Sequence, residues 1–303
     1  MPKVDLAAGP IHYVDRGDGP PVVLLHGLLM NHRQWDTVLD RLPDGFRYLL
    51  PDLPLGAHPE PMRPGVDLSL RGLNQLLADF LAALDLRAVT LVHTDWGGGL
   101  FLTAYGLDER VGRLIVLPCE AFDNFPPGLP GKMAVAASYL PGGIPLALRQ
   151  LRIRPLRNSP LLFGWMARTP VPDDLVHAWT EPGLRDKRIR RDLLAYTRAG
   201  FPRAELIENT EALRRFSGDA LILWSSAGKV MPREHGRRLA DLIPNATLIE
   251  IDDAYVLSML DRPAAVAAAI SAFLTRTPTR AEEPSRGHSP NGADTHDTTA
   301  PRQ

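Results

Sequence analysis

The chain has 303 residues, 45% of them hydrophobic, with 34 Lys and Arg against 35 Asp and Glu for a formal charge of −1. That length suits one large α/β core, or a core with a subdomain, and the near-zero charge gives no reason to expect nucleic acid or a charged membrane surface as partner. A single cysteine, Cys119, rules out an internal disulfide and a cysteine-rich metal site, and no apolar run follows a basic patch near Met1, so a reducing cytoplasm is the expectation.

In chain order, Ile11 to Val14 reads as a first strand, and Asp15 to Pro20 as the turn after it. Pro21 to Leu25 is a continuous apolar run, as in a strand buried on both faces, and it ends in His26-Gly27-Leu28-Leu29-Met30. Asn31 to Leu42 reads as a helix with Trp35 and Leu39 on one face. Phe46 to Leu50 reads as a strand running into a loop that holds His58, a mouth residue or, more simply, a solvated loop histidine. Ser69 to Leu84 repeats apolar residues at helical spacing through Leu70, Leu73, Leu77, Phe80 and Leu84, so it should pack on the sheet.

The stretch that organises the rest is Leu91-Val92-His93-Thr94-Asp95-Trp96-Gly97-Gly98-Gly99. Ala88 to Val92 is a short apolar run, and after the glycines Leu100, Phe101, Ala104 and Leu107 fall at helical spacing: strand, tight turn, helix. At such a turn the central side chain is held in a strained conformation at the edge of the sheet, with small neighbours that let strand and helix approach. A serine there would give an esterase elbow; Asp95 suggests a carboxylate nucleophile that forms a covalent ester. The simpler alternative is an N-cap aspartate opening a helix.

Val111 to Leu117 is a further buried strand, closing on Pro118 to Asp123. From 124 to 216 short helices alternate with prolines, and Arg185, Lys187, Arg188, Arg190 and Arg191 read as a solvated helix face. Strands return at Ala220 to Trp224 and Ala246 to Ile251, then a loop runs to Pro263. Residues 276–303, rich in Thr, Pro, Ser, Gly and charge, read as a disordered tail.

His93 to Gly98 resembles the elbow of the Asp-nucleophile α/β-hydrolases, the haloalkane dehalogenases and epoxide hydrolases, and the likeness extends from about Ile11 to Leu274. It implies an α/β-hydrolase fold with a mostly parallel sheet: core at 1–123 and 217–275, helical cap at 124–216. It also implies an oxyanion hole from the backbone amides of Leu28 and Trp96, no cofactor and no metal, and a small apolar substrate. Tyr139, Trp165, Trp179 and Tyr196 are candidates for the pocket wall or, more simply for most of them, for the core of the cap, and His26 for the pocket or a structural brace. Glu120 matches the triad acid of part of the family, with Asp123 as runner-up.

The chain departs from the family pattern at several positions. Leu28 and Leu29 replace the asparagine or proline found after His-Gly. Gly228 stands where an aspartate is usual. Aligned on Asp261 and Pro263, Tyr255 and Val256 replace Gly-His, and valine can neither take nor give a proton. His288 and His296, in the tail, are no ready replacements.

Three functions follow. The first is a hydrolase using Asp95 on an epoxide, halide or ester. The second is a binding protein that keeps the pocket without turnover. The third is a lyase, isomerase or cyclase in which Asp95 is the acid or base and Tyr255 assists. The amides and helix N-terminus at an elbow are expected to outweigh burial and hold the Asp95 pKa low. The sequence leaves the oligomeric state open.

Overall fold

The computed structural model describes residues Met1 to Thr277. The tail beyond Thr277, with His288 and His296, lies outside the described residues.

Eight strands form one sheet: β1 (Lys3–Asp5), β2 (Pro10–Arg16), β3 (Pro21–Leu24), β4 (Arg47–Pro51), β5 (Val89–Asp95), β6 (Val111–Cys119), β7 (Asp219–Ser225) and β8 (Ala246–Ile251). Their order is β1-β2-β4-β3-β5-β6-β7-β8. The pairs β1/β2 and β2/β4 are antiparallel and every other pair is parallel. This is the mostly parallel sheet expected of an α/β-hydrolase fold. β5 sits between β3 and β6 with all seven of its residues buried, so whatever ends it lies at the middle of the sheet's C-terminal edge.

Helix Leu70–Ala83 follows its apolar spacing: Leu70, Leu73, Leu77 and Phe80 are buried, and Ser69 Oγ caps it by accepting from the Gly72 amide at 3.2 Å. The last helix opens on Pro263 and runs to Thr275, burying Val266, Ile270 and Phe273.

Three expectations change. The first strand is β1 and not the one at Ile11 to Val14, which is part of β2. The stretch 31–42 is not one helix: Asn31 caps a 3₁₀ turn, His32–Trp35, followed by a single α-helical turn, Asp36–Leu39. After the elbow only a 3₁₀ turn forms, Gly99–Phe101, followed by turns to Gly106. Three successive glycines lower helix propensity where a helix would start, and Gly98 adopts φ +73°.

Between β6 and β7 the chain is helical: Gly128–Tyr139, Gly143–Leu151, Arg154–Arg157, Asp173–Arg185, Lys187–Ala199 and Arg203–Glu211. This segment is tied to the sheet side by a buried knot. Asp192 accepts from the Met62 amide at 2.8 Å and contacts His58 Nε2 at 3.2 Å, with both side chains almost wholly buried. His58 is therefore a packing residue and not a solvated loop histidine. The basic run divides as well: Arg185, Lys187 and Arg188 are exposed, while Arg190 donates to the Gly183 carbonyl at 2.7 Å and Arg191 to Asp192 at 2.6 Å.

Candidate active site

Asp95 ends β5 with φ +46°, a left-handed conformation that a non-glycine residue adopts at a cost, and it is buried. Its Oδ2 accepts from the Leu28 amide at 3.0 Å, and the Trp96 amide also donates to the carboxylate. The two predicted backbone donors thus converge on one carboxylate.

Gly27 makes that approach possible. A Cβ on Gly27 would stand 2.1 Å from Asp95 Oδ2 and 2.7 Å from Asp95 Cβ, so no larger residue fits. The loop is braced from both sides. The Gly27 amide donates to Gln34 Oε1 at 3.2 Å, and the Leu29 amide to the Leu55 carbonyl at 2.8 Å. His26 Nε2 accepts from the Leu53 amide at 2.8 Å, which leaves Nδ1 to donate to the Gly27 carbonyl at 2.9 Å. Burial pushes its pKa down to about 4, so His26 is a neutral brace and not a pocket residue.

Burial also decides the charge of Asp95. Its pKa is pushed up to about 6 by desolvation, against the lowering effect of the Trp96 and Leu28 amides. The expectation that the amides would win is corrected: two hydrogen bonds do not repay the water removed. The group is still mostly ionised above neutral pH.

An apolar cavity of about 250 Å³ opens beside Asp95. Leu28, Leu29, Met30 and Trp96 line it from the sheet side, and Pro130, Ala134, Leu146, Leu151, Phe163 and Met166 are among its helical wall. Among the described residues, Asp95 and Gln150 are its only side chains with strong polar groups apart from the Trp96 indole, and no histidine lines it.

The other candidates lie elsewhere. Tyr196 is closest to the chemistry: its hydroxyl donates to the Trp96 carbonyl at 2.7 Å, behind the wall rather than in it. Trp179 is core, edge-on to Phe163 at 5.8 Å between centroids. Trp165 is half-buried with Lys229 near its ring, and Tyr139 is 62% exposed. None of these four lines the cavity. Tyr255, placed in an acid–base role, does not face it either: its ring lies under Lys229 Nζ at 5.2 Å, and its amide donates to Asp261 Oδ2 at 2.9 Å. Val256 is buried core, and Gly228 lies in the turn after β7.

Glu120 is at the expected edge, one residue past Cys119, the register partner of Asp95. It is wholly buried, neither carboxylate oxygen has a hydrogen-bond partner among the described residues, and desolvation pushes its pKa well above the usual carboxylate range. It is a neutral acid with no histidine to orient. Asp123 instead pairs with Arg203 at the surface. Within β5, His93 is also buried without a partner for either ring nitrogen and is held neutral, its pKa pushed down to about 3. Sequence reasoning missed Gln150 and the small and apolar residues of the two helices that make the wall; no motif marks them.

The description "alpha/beta hydrolase fold" matches residues 20–263, most of the chain. The chain belongs to the α/β-hydrolase fold family. A soluble epoxide hydrolase from Corynebacterium sp. is 32% identical over 142 residues, 45% of this α/β-hydrolase and 48% of that protein. A haloalkane dehalogenase from Mycolicibacterium paratuberculosis is 40% identical over 112 residues, 35% of this chain and 36% of the other. The matched stretches span less than half the length of these two relatives. The crystal structure of an ancestral haloalkane dehalogenase superposes with a TM-score of 0.71 over 90% of this chain and 98% of that one, at 19% identity, a likeness of fold. The α/β-hydrolase is thus a member of a hydrolase superfamily whose relatives include dehalogenases and epoxide hydrolases.

Proposed function

We propose that this α/β-hydrolase uses Asp95 as a nucleophile on a small apolar electrophile, an alkyl halide or epoxide. The observation that carries this reading is the Asp95 carboxylate, held at Oδ2 by the Leu28 amide and bordering an apolar cavity with almost no other polar group. One carboxylate oxygen attacks the electrophilic carbon, a C–O bond forms, and the bond from that carbon to halogen or epoxide oxygen breaks. The helical segment over the cavity serves as its cap. Trp96 lines the cavity and its indole N–H has no partner among the described residues, so it supplies a donor for the departing anion. Without a histidine in the cavity wall, water attacks the resulting ester slowly and the adduct persists. Names of relatives add weight to halide and epoxide over ester substrates.

A second reading has its own support. An Asp95 pKa of about 6 suits a general acid or base near neutral pH, and such chemistry needs no water activation. It would run without Tyr255, which lies away from the cavity. The open cavity speaks against a site closed off to small molecules.

Incubation with a panel of alkyl halides, epoxides and activated esters, read by intact mass, tests both. A mass gain on Asp95 that is lost in Asp95→Asn sustains the nucleophile; turnover with no adduct on rapid quenching sustains the acid–base reading instead.

A further inference from the structure

The cavity mouth is built of residues that soluble proteins usually hide. Met133, Leu140, Leu146 and Leu161 line the cavity and are 43%, 63%, 55% and 45% exposed. They come from the helix Gly128–Tyr139, the residue that follows it, the helix Gly143–Leu151 and the loop after Arg157. Leu129, a turn before Met133, is exposed too. Apolar side chains in contact with water around one opening mark a surface that meets another apolar phase.

Charge around this rim is one-sided. Between Asp123 and Asp173 there is no Asp or Glu, while Lys132, Arg149, Arg152, Arg154, Arg157 and Arg168 are all cationic. Four of these are ion-paired: Arg152 with Glu181, Arg154 and Arg157 with the one carboxylate of Asp173, and Arg168 with Asp253. The side chains of Lys132 and Arg149 are exposed and have no ion pair or hydrogen bond among the described residues. Lys132 lies three residues after Leu129 and four before Ala136, which also lines the cavity; Arg149 lies three after Leu146. Helical spacing places each cation on the same face as those rim residues.

We propose that this rim docks on an anionic lipid surface, with Met133, Leu140 and Leu146 entering the headgroup region and Lys132 and Arg149 meeting lipid phosphates, so that an apolar substrate passes from the lipid into the cavity. A symmetric contact with a second copy would gather Lys132 and Arg149 of both copies in one interface, with no carboxylate in 124–172 to meet them, whereas lipid phosphates satisfy both. Among the described residues no helix is long and apolar enough to cross a membrane, so the contact is peripheral. The proposal is independent of whether Asp95 acts as nucleophile or as acid–base group. The chain's total charge of −1 conceals the asymmetry, because the balancing carboxylates lie outside this segment.

Co-sedimentation of the full chain with phosphatidylglycerol-rich vesicles, against pure phosphatidylcholine vesicles, tests it. The expected result is binding to the anionic vesicles that weakens with salt and drops about thirtyfold in the double variant Lys132→Gln, Arg149→Gln, with an unchanged melting temperature. Leu129→Ser should also weaken it, and the remote pair Arg16→Gln, Arg87→Gln, at the sheet edge opposite Asp95, should not. No co-sedimentation, binding indifferent to lipid charge, equal loss in the remote pair, or a solution dimer that Leu129→Ser dissociates would each overturn the proposal.

Discussion

The Tyr196 hydroxyl donates to the Trp96 carbonyl at 2.7 Å, so the helix Lys187–Ala199 is hydrogen-bonded directly to the residue after Asp95. Around this bond Trp96, Phe125, Phe201 and Tyr196 form a ring cluster with centroids 4.5 to 6.2 Å apart. The helix is thereby tied to the peptide that follows the Asp95 carboxylate.

Tyr196→Phe keeps the ring packing and removes only the hydroxyl, leaving the Trp96 carbonyl short of a partner. The expected loss is about 1–2 kcal/mol of stability, measured by urea denaturation. Adduct formation at Asp95 should slow at the same time, because the Trp96 amide sits on the far side of the freed residue.

The Asp95 pKa fixes a pH dependence. The folded chain holds this proton up to about pH 6, the unfolded chain only to about 3.8. As pH rises through that window the unfolded chain ionises first, so stability falls; below it the burial of Asp95 carries no charge penalty. Relative to Asp95→Asn, wild type should lose roughly 2 kcal/mol between pH 4 and pH 7, seen in denaturation midpoints across a pH series. As a nucleophile, Asp95 should form adduct at a rate that climbs through about pH 6 and then levels.

Gly27→Ala places a methyl where Asp95 Oδ2 stands, 2.1 Å away. Either the Leu28 amide or the carboxylate must move, at a cost of about 1–3 kcal/mol. Adduct formation should fall by a larger factor than stability accounts for, as shown by comparing labelling rates with melting temperatures.

Val256→His, with Tyr255→Gly for room, returns a base to the position the family gives to histidine. A persistent Asp95 adduct should then break down, and turnover should rise in steady-state assays. A correctly folded variant whose adduct lasts as long as that of wild type would mean that a base at this position does not serve the ester.

Some of this protein is fixed by local chemistry. Buried strands write themselves as apolar runs, and the glycines around Asp95, with Gly27 beyond them, are demanded by a carboxylate packed against two chain segments; hence the strands and the elbow were legible, while the Leu28 and Trp96 amides were implied by the family resemblance alone. Short-range signals failed where glycines overrode spacing, as in the missing helix after Gly99. Other features depend on which distant segments meet. Whether His58 is wet or buried turns on Asp192, some 130 residues away, and the Asp95 pKa turns on how much water the helices exclude. Tyr139, Trp165, Trp179 and Tyr196 looked alike in sequence, yet folding sent one to the surface, left one half-buried under Lys229, and sent one into core and one to the Trp96 carbonyl, while mostly small and aliphatic residues took the cavity wall. A pocket is the space left by packing, and only the tertiary structure decides which side chains border it.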